Sequence, residues 1–302
     1  MKRTKRVLGL ALAAVMCMGL LAGCGGTPSN SDTADETSGT ETSEKVLNIA
    51  TIGETTTLSP LYMIADNRPT QKLLYEGLVK YVDGEIQPVL AEDWELSEDG
   101  TQLTFYLRQG VTFHDGEPFN AEAAIANIES WHINPSFASL PGVVNYTNIE
   151  AVDEYTIRLT YDTPYFAYIN DFCWPDVCTM ISPKLITQGD FQTVNGYAGT
   201  GPYIYDEYVA GQYTTFVRNE NYWGEQPYYD KIVAKYIPDN ASRVQALQTG
   251  EIDLIYGSAE LSYEDYNQAT AIEGIEGKFA PSGSTIRSCA LVVSRSNCRL
   301  AF

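Results

Sequence analysis

The 302-residue chain is longer than one average domain, and its 44% hydrophobic content is enough to bury a substantial core. Net charge is −20; once the four basic residues Lys2, Arg3, Lys5 and Arg6 are set aside, 15 Lys and Arg stand against 39 Asp and Glu, a balance of −24. That balance excludes phosphate-backbone binding, which needs clustered cations, and suits an exposed, soluble surface with room for cationic ligands.

The N-terminus reads as an export signal. A basic start, MKRTKR, precedes an apolar run from Val7 to Leu20 and then Leu21-Ala22-Gly23-Cys24. The run is short for a spanning helix of about 20 residues, and the layout is that of a secretory signal peptide over residues 1–23. Leu-Ala-Gly-Cys also matches the bacterial lipobox, so Cys24 is expected to become the first mature residue and to carry acyl chains that hold the protein on the outer face of the membrane. Residues 24–44 then form an acidic, polar tether, with no large apolar residue to offset the entropy of ordering.

The folded part begins at Lys45. Val46 to Ile52 reads as a buried strand, Thr57 to Asn67 as a loop, and a helix is predicted from about Thr70 into YEGLVKY. Further on, Ser97-Glu98-Asp99-Gly100 is a hairpin turn between Trp94-Glu95-Leu96 and the alternating strand Gln102 to Arg108. A turn at His114-Asp115-Gly116 leads to Asn120, which caps a helix running through Glu129. Trp94 and Phe105 read as core. Trp131 to Ile149 is loop-rich, and Tyr155 to Leu159 is a strand.

From Gly199 the local chemistry is dense in signals. Gly199-Thr200-Gly201-Pro202-Tyr203 is a rigid turn, because glycine permits close approach and unusual φ while proline fixes its own. YIYDEYVAG and QYTTFVRN alternate around Ala210-Gly211 as a hairpin, and Asn221-Tyr222-Trp223-Gly224 makes a second turn. Lys231 to Ile237 is a strand. Asp239 or Asn240 caps a helix from Ala241 to Leu247 that Gly250 closes, and Ile252 to Tyr256 is an apolar strand.

GTGPY, then RNENYWG, then a helix followed by GEIDL, together with the long stretch Asp83 to Glu129, resembles the family 5 solute-binding proteins of ABC importers, receptors for peptides and nickel chelates. VRNENYWGE, IPD and TGEIDLIYG look most similar to the nickel-receptor branch. The resemblance implies an α/β, periplasmic-binding-protein-like fold of type II in its large form. The first lobe would comprise residues 45–60 and 185–280, with 61–184 as an inserted subdomain. Residues 281–302 resemble the crossover into a second lobe only as far as SGSTIRSCALV; SRSNCRLAF departs, so the second lobe is expected to be missing, leaving open strand edges and little or no ligand binding by this product.

What the resemblance implies for function is a lipid-anchored, monomeric receptor that captures short peptides outside the membrane and delivers them to ABC permease subunits. Ligand-lining residues are expected at Tyr62, Asn67, Arg68, Phe137, Trp174 and Asp176. In the resembled nickel receptors an arginine and a tryptophan approach the chelate; Phe137 and Leu140 stand at those positions here. A second arginine of that branch falls near Trp174 to Cys178, where this chain has none. The aromatic and acidic lining suits a peptide, including one with a basic side chain; a nickel chelate is the alternative ligand.

Cysteine and histidine usage adds bounds. Cys17 leaves with the signal, and Cys173 and Cys178 read either as an exported disulfide or as two buried thiols. Only His114 and His132 are present, with no zinc-like Cys/His spacing, so no resident metal or other cofactor is implied and a metal would arrive already chelated. No G-x-S-x-G elbow or phosphate loop is present. A non-enzyme is expected, and a secreted hydrolase is the remaining alternative, since paired carboxylates are abundant.

Overall fold

The computed structural model describes residues 44–61, 68–82, 84–174, 178–186, 196–257, 261–280 and 290–295. Cys24, the leader and the tether lie outside them. Among the described residues no helix is long and apolar enough to cross a membrane.

A seven-stranded sheet runs in the order β12 (Ile275–Ala280), β13 (Ala290–Arg295), β11 (Leu254–Gly257), β1 (Val46–Thr51), β10 (Lys231–Tyr236), β9 (Tyr213–Arg218) and β8 (Tyr203–Val209). Its centre is β1 (Val46–Thr51), parallel to both β10 (Lys231–Tyr236) and β11 (Leu254–Gly257). Such a strand is covered on both faces, and Leu47, Ile49 and Ala50 are all buried. At about 2 kcal/mol for each large apolar side chain, this strand is a main source of the sheet's stability. The predicted hairpin is β8 (Tyr203–Val209) and β9 (Tyr213–Arg218), turning at Gly211 with φ 69°. Helix α5 (Asn240–Thr249) starts on Asp239, whose carboxylate accepts from Ser242 N–H at 2.8 Å, and ends on Gly250 at φ 77°. Helix α6 (Tyr263–Thr270) then leads into β12 (Ile275–Ala280).

A second body forms between β1 and β8. Its four-stranded sheet, in the order β4-β5-β7-β6, comprises β4 (Ala91–Leu96), β5 (Gln102–Leu107), β6 (Tyr146–Asp153) and β7 (Thr156–Tyr161). The turn between β4 and β5 is held by Asp99, whose carboxylate accepts from the Ser97 and Thr101 hydroxyls and the Thr101 amide. Helix α2 (Ala121–His132), capped by Asn120, lays Ile128 and Trp131 on this sheet beside Phe105. Two short helices, α3 (Pro141–Val144) and α4 (Tyr168–Phe172), pack on one another through Gly142, whose N–H donates to Asp171 at 2.6 Å. A separate hairpin pairs β2 (Val79–Val82) with β3 (Glu85–Pro88).

Three expectations change. Helix α1 (Arg68–Leu74) stops before YEGLVKY, which runs extended. Gly77 bridges to Thr179, with space for a Cβ closed by the Cys178 carbonyl at 2.7 Å, and Val79 pairs with Pro88; this tertiary pairing overrides the helical pattern. The loop-rich passage after Trp131 holds a helical turn, a short helix and β6. The tail adds β13 (Ala290–Arg295), antiparallel to both β11 and β12, so β11 presents no open edge and the outer strands are β8 and β12.

The two bodies meet where Gly199 and Gly201 lie against the end of α1. A Cβ at Gly199 would stand 2.0 Å from the Leu74 carbonyl oxygen, whereas one at Gly211 meets nothing within 4 Å. Gly199→Ala is therefore expected to cost about 3 kcal/mol or more, and Gly211→Ala only about 1 kcal/mol of left-handed strain, in urea denaturation. Equal costs would remove the packing explanation.

Candidate functional site

Two regions qualify, a joint that sets the geometry and a rim that faces the ligand in the expected reading. The joint is built from three motifs. Gly201 N–H donates to Leu74 O, bringing the GTGP turn onto α1. Glu76, just past α1, receives the Thr200 hydroxyl at 3.0 Å and Trp223 Nε1 at 2.8 Å on one oxygen, and the Tyr222 hydroxyl at 2.7 Å on the other. The guanidinium of Arg108, from the inserted body, lies 4.5 Å over the Trp223 ring and donates through Nε to Val89 O. Burial pushes the Glu76 carboxyl up, against the three hydrogen bonds that pull it down. A carboxylate suits this place because all three neighbours are donors.

The rim starts from the chain after β1. Glu54 accepts from the Tyr208 hydroxyl and Gly211 N–H, Gln71 Nε2 donates to Ser59 O at 2.9 Å, and Asn134 Nδ2 donates to Leu61 O at 3.0 Å. Asn134 also caps the turn Pro135–Phe137. The start of the predicted ligand loop is thus pinned to the turn that carries Phe137. Phe137 itself is fully buried, its ring stacked on Trp131 at 5.8 Å, so it backs the wall from within the core. Leu140, three residues on, is buried as well. Trp174, beyond α4, is 44% exposed and faces outward. Arg68 opens α1. Tyr62, Asn67 and Asp176 lie outside the described residues.

Cys173 and Cys178 are both buried free thiols. Burial pushes Cys173 up to about 11 and raises Cys178 well above the ordinary thiol value, which makes both poor nucleophiles. Among the described residues no group of three His, Cys, Asp or Glu is arranged to hold a metal ion.

Sequence reasoning did not single out Glu76, Arg108 or Asn127. The one available signal for Glu76 was a lone acid amid Leu73, Leu74, Tyr75 and Leu78, all of which are buried. Asn127, fully buried on α2, exchanges two hydrogen bonds with the backbone of Ile181, a strand-like pairing no local pattern announces.

Comparison with known proteins agrees with this geometry. Residues 85–288 match the model for bacterial extracellular solute-binding proteins, family 5 Middle. The nickel-binding periplasmic protein of Escherichia coli is 38% identical over 209 residues, covering 68% of this chain and 40% of that protein. NikA from Brucella suis, solved in complex with Fe(III)-EDTA, is 32% identical with a TM-score of 0.72, covering 78% of this chain and 48% of that one. DppA from Helicobacter pylori, solved with the peptide STSA, is 26% identical with a TM-score of 0.66, covering 78% and 50%. The chain thus spans about half or less of the length of these relatives.

Glu76→Ala, which strands the Trp223, Tyr222 and Thr200 donors, is expected to cost about 2 to 4 kcal/mol. Glu76→Gln keeps the shape and removes the titration. With its folded value raised, Glu76 favours the wild type below the free value of 4.5, and that advantage is lost as pH rises through the folded value. Urea denaturation at about pH 4 and about pH 8 is expected to show the wild type losing ground to Glu76→Gln at the higher pH. The opposite trend would mean that the hydrogen bonds outweigh burial.

Proposed function

Since the chain belongs to the bacterial extracellular solute-binding proteins of family 5, we propose that it serves as the ligand-capturing component of an ABC importer, held on the outer face of the membrane by lipid on Cys24. Its ligand in this reading is a short peptide, taken up outside the cell and handed to the permease subunits. The protein does no chemistry on its ligand; binding closes walls around it, and ligand affinity for the closed state drives the closure.

The observation that carries the peptide assignment is the state of Phe137 and Leu140. These stand where the resembled nickel receptors present an arginine and a tryptophan toward the chelate, and both are apolar and buried, so neither supplies a guanidinium or an outward indole. The outward aromatic at Trp174 and the acid at Asp176, with a balance of −24 once the four N-terminal cations are set aside, suit a peptide bearing a basic group. A nickel chelate is the second reading, favoured by the 38% identity to the nickel-binding protein.

Calorimetric titration of the two-lobed receptor, of which this chain is expected to supply the first lobe, distinguishes them, using dipeptides to pentapeptides with and without lysine or arginine, then nickel alone, histidine alone and the two together. Heat with basic peptides, unchanged by a chelating agent, is expected. Heat only with nickel plus histidine would replace the peptide by the chelate. Anchoring has its own test: the full-length protein expressed in a bacterium is expected to partition into detergent, and Cys24→Ser to partition into the aqueous phase. An unchanged partition would exclude acylation at Cys24.

A further inference from the structure

Outside the ligand-capture reading, one side chain joins the two bodies through both of its titratable atoms. The turn His114-Asp115-Gly116 of the inserted body meets the GTGP turn through three hydrogen bonds of His114. Its backbone N–H donates to Gly199 O at 2.8 Å. Its ring Nε2 lies 2.9 Å from Gly201 O, and Gly199 N–H points to ring Nδ1 at 3.3 Å. A carbonyl only accepts and an amide N–H only donates. The Gly201 and Gly199 contacts together suit the neutral tautomer with the proton on Nε2 and Nδ1 bare, while the Tyr197 carbonyl beside the ring favours its charged form.

The charged and titratable neighbours are few. Asp115 adjoins the ring on its own turn, and Tyr197 comes from the facing segment. The pair Glu117 and Lys184, 2.5 Å apart, flanks the same turn, and Glu76 lies behind Thr200. Burial disfavours the charged ring, and this outweighs the Gly201 and Tyr197 carbonyls and Asp115, which favour it, so the histidine sits below its ordinary value of 6.5.

We propose that His114 is a pH-sensitive latch between the inserted body and the seven-stranded sheet. As the neutral ring it holds the GTGP turn by one donated and one accepted hydrogen bond. A proton taken from water onto Nδ1 removes the acceptor for Gly199 N–H and gives the ring a donor for the Tyr197 carbonyl. The contact is complete above the free value of 6.5 and is lost as pH falls through the lower folded value. Acidification thereby loosens the inserted body from the sheet at one point, while the Gly201 to Leu74 bond stays.

The test uses the full chain carrying His132→Gln, in which His114 is the single histidine. Ring 15N shifts and amide hydrogen exchange, corrected for intrinsic rates, are followed from about pH 7.5 to about pH 5. The expected result is a protonated Nε2 with a bare Nδ1 at the start. On acidification both nitrogens carry protons, and protection of the Gly199 amide falls several-fold more than that of Gly201, whose partner is Leu74 O. An Nδ1–H tautomer at the higher pH, or Gly199 and Gly201 changing in step, would overturn the latch. His114→Gln supplies a donor and an acceptor without titrating, so in that variant the selective response at Gly199 should vanish; its persistence would also overturn the proposal. The ring and amide signals of the His132→Gln protein decide the matter even if His114→Gln fails to fold.

Discussion

Backbone against backbone at Gly199 and Gly201 is the constraint on which the arrangement rests. With Leu74 O as close as 2.0 Å to where a side chain would begin, only glycine lets the turn reach the end of α1. That approach delivers Thr200 to Glu76, and Glu76 in turn gathers Tyr222 and Trp223 from the following turn. Arg108 closes the circuit by lying over Trp223 from the other body. Each contact is modest by itself, but they share one carboxylate, so loss of any one weakens the alignment of the rest.

The rim inherits its position from this joint. The chain leaves β1, is pinned by Glu54 to the hairpin tip and by Asn134 to the turn of Phe137, and enters α1, whose far end is the platform for the glycines. A displacement at the joint would therefore move the loop after β1 without touching it. The buried stack of Phe137 on Trp131 stiffens the same turn from behind.

Local chemistry was legible and remote chemistry was not. Asp239 and Gly250 fix the ends of α5, and Asp99 the turn between β4 and β5, because cap and turn hydrogen bonds are satisfied within a few residues. YEGLVKY failed as a helix because Gly77 and Val79 answer to partners 102 and nine residues away, at Thr179 and Pro88. Phe137 was placed facing the ligand because the resemblance sets it at a contact position of the nickel receptors, and nothing nearby in sequence signals that Trp131 stacks on it. The tail strand β13 was missed for the same reason: its register is set by β11 and β12, not by its own residues.

These unequal legibilities explain why the family is plain here while the ligand is not. The stretches that carry the resemblance, GTGPY and RNENYWG, are the ones that tie the bodies together, and their chemistry is internal: a glycine approach, a shared carboxylate, a cation over an indole. The rim residues answer to a different demand, complementarity to one ligand, which the joint does not constrain. Phe137 and Leu140 lie buried in the core of the inserted body, and neither is among the partners of Glu76 or Gly199. A change at the rim can leave the joint intact, so the joint speaks for the fold and the rim for the ligand.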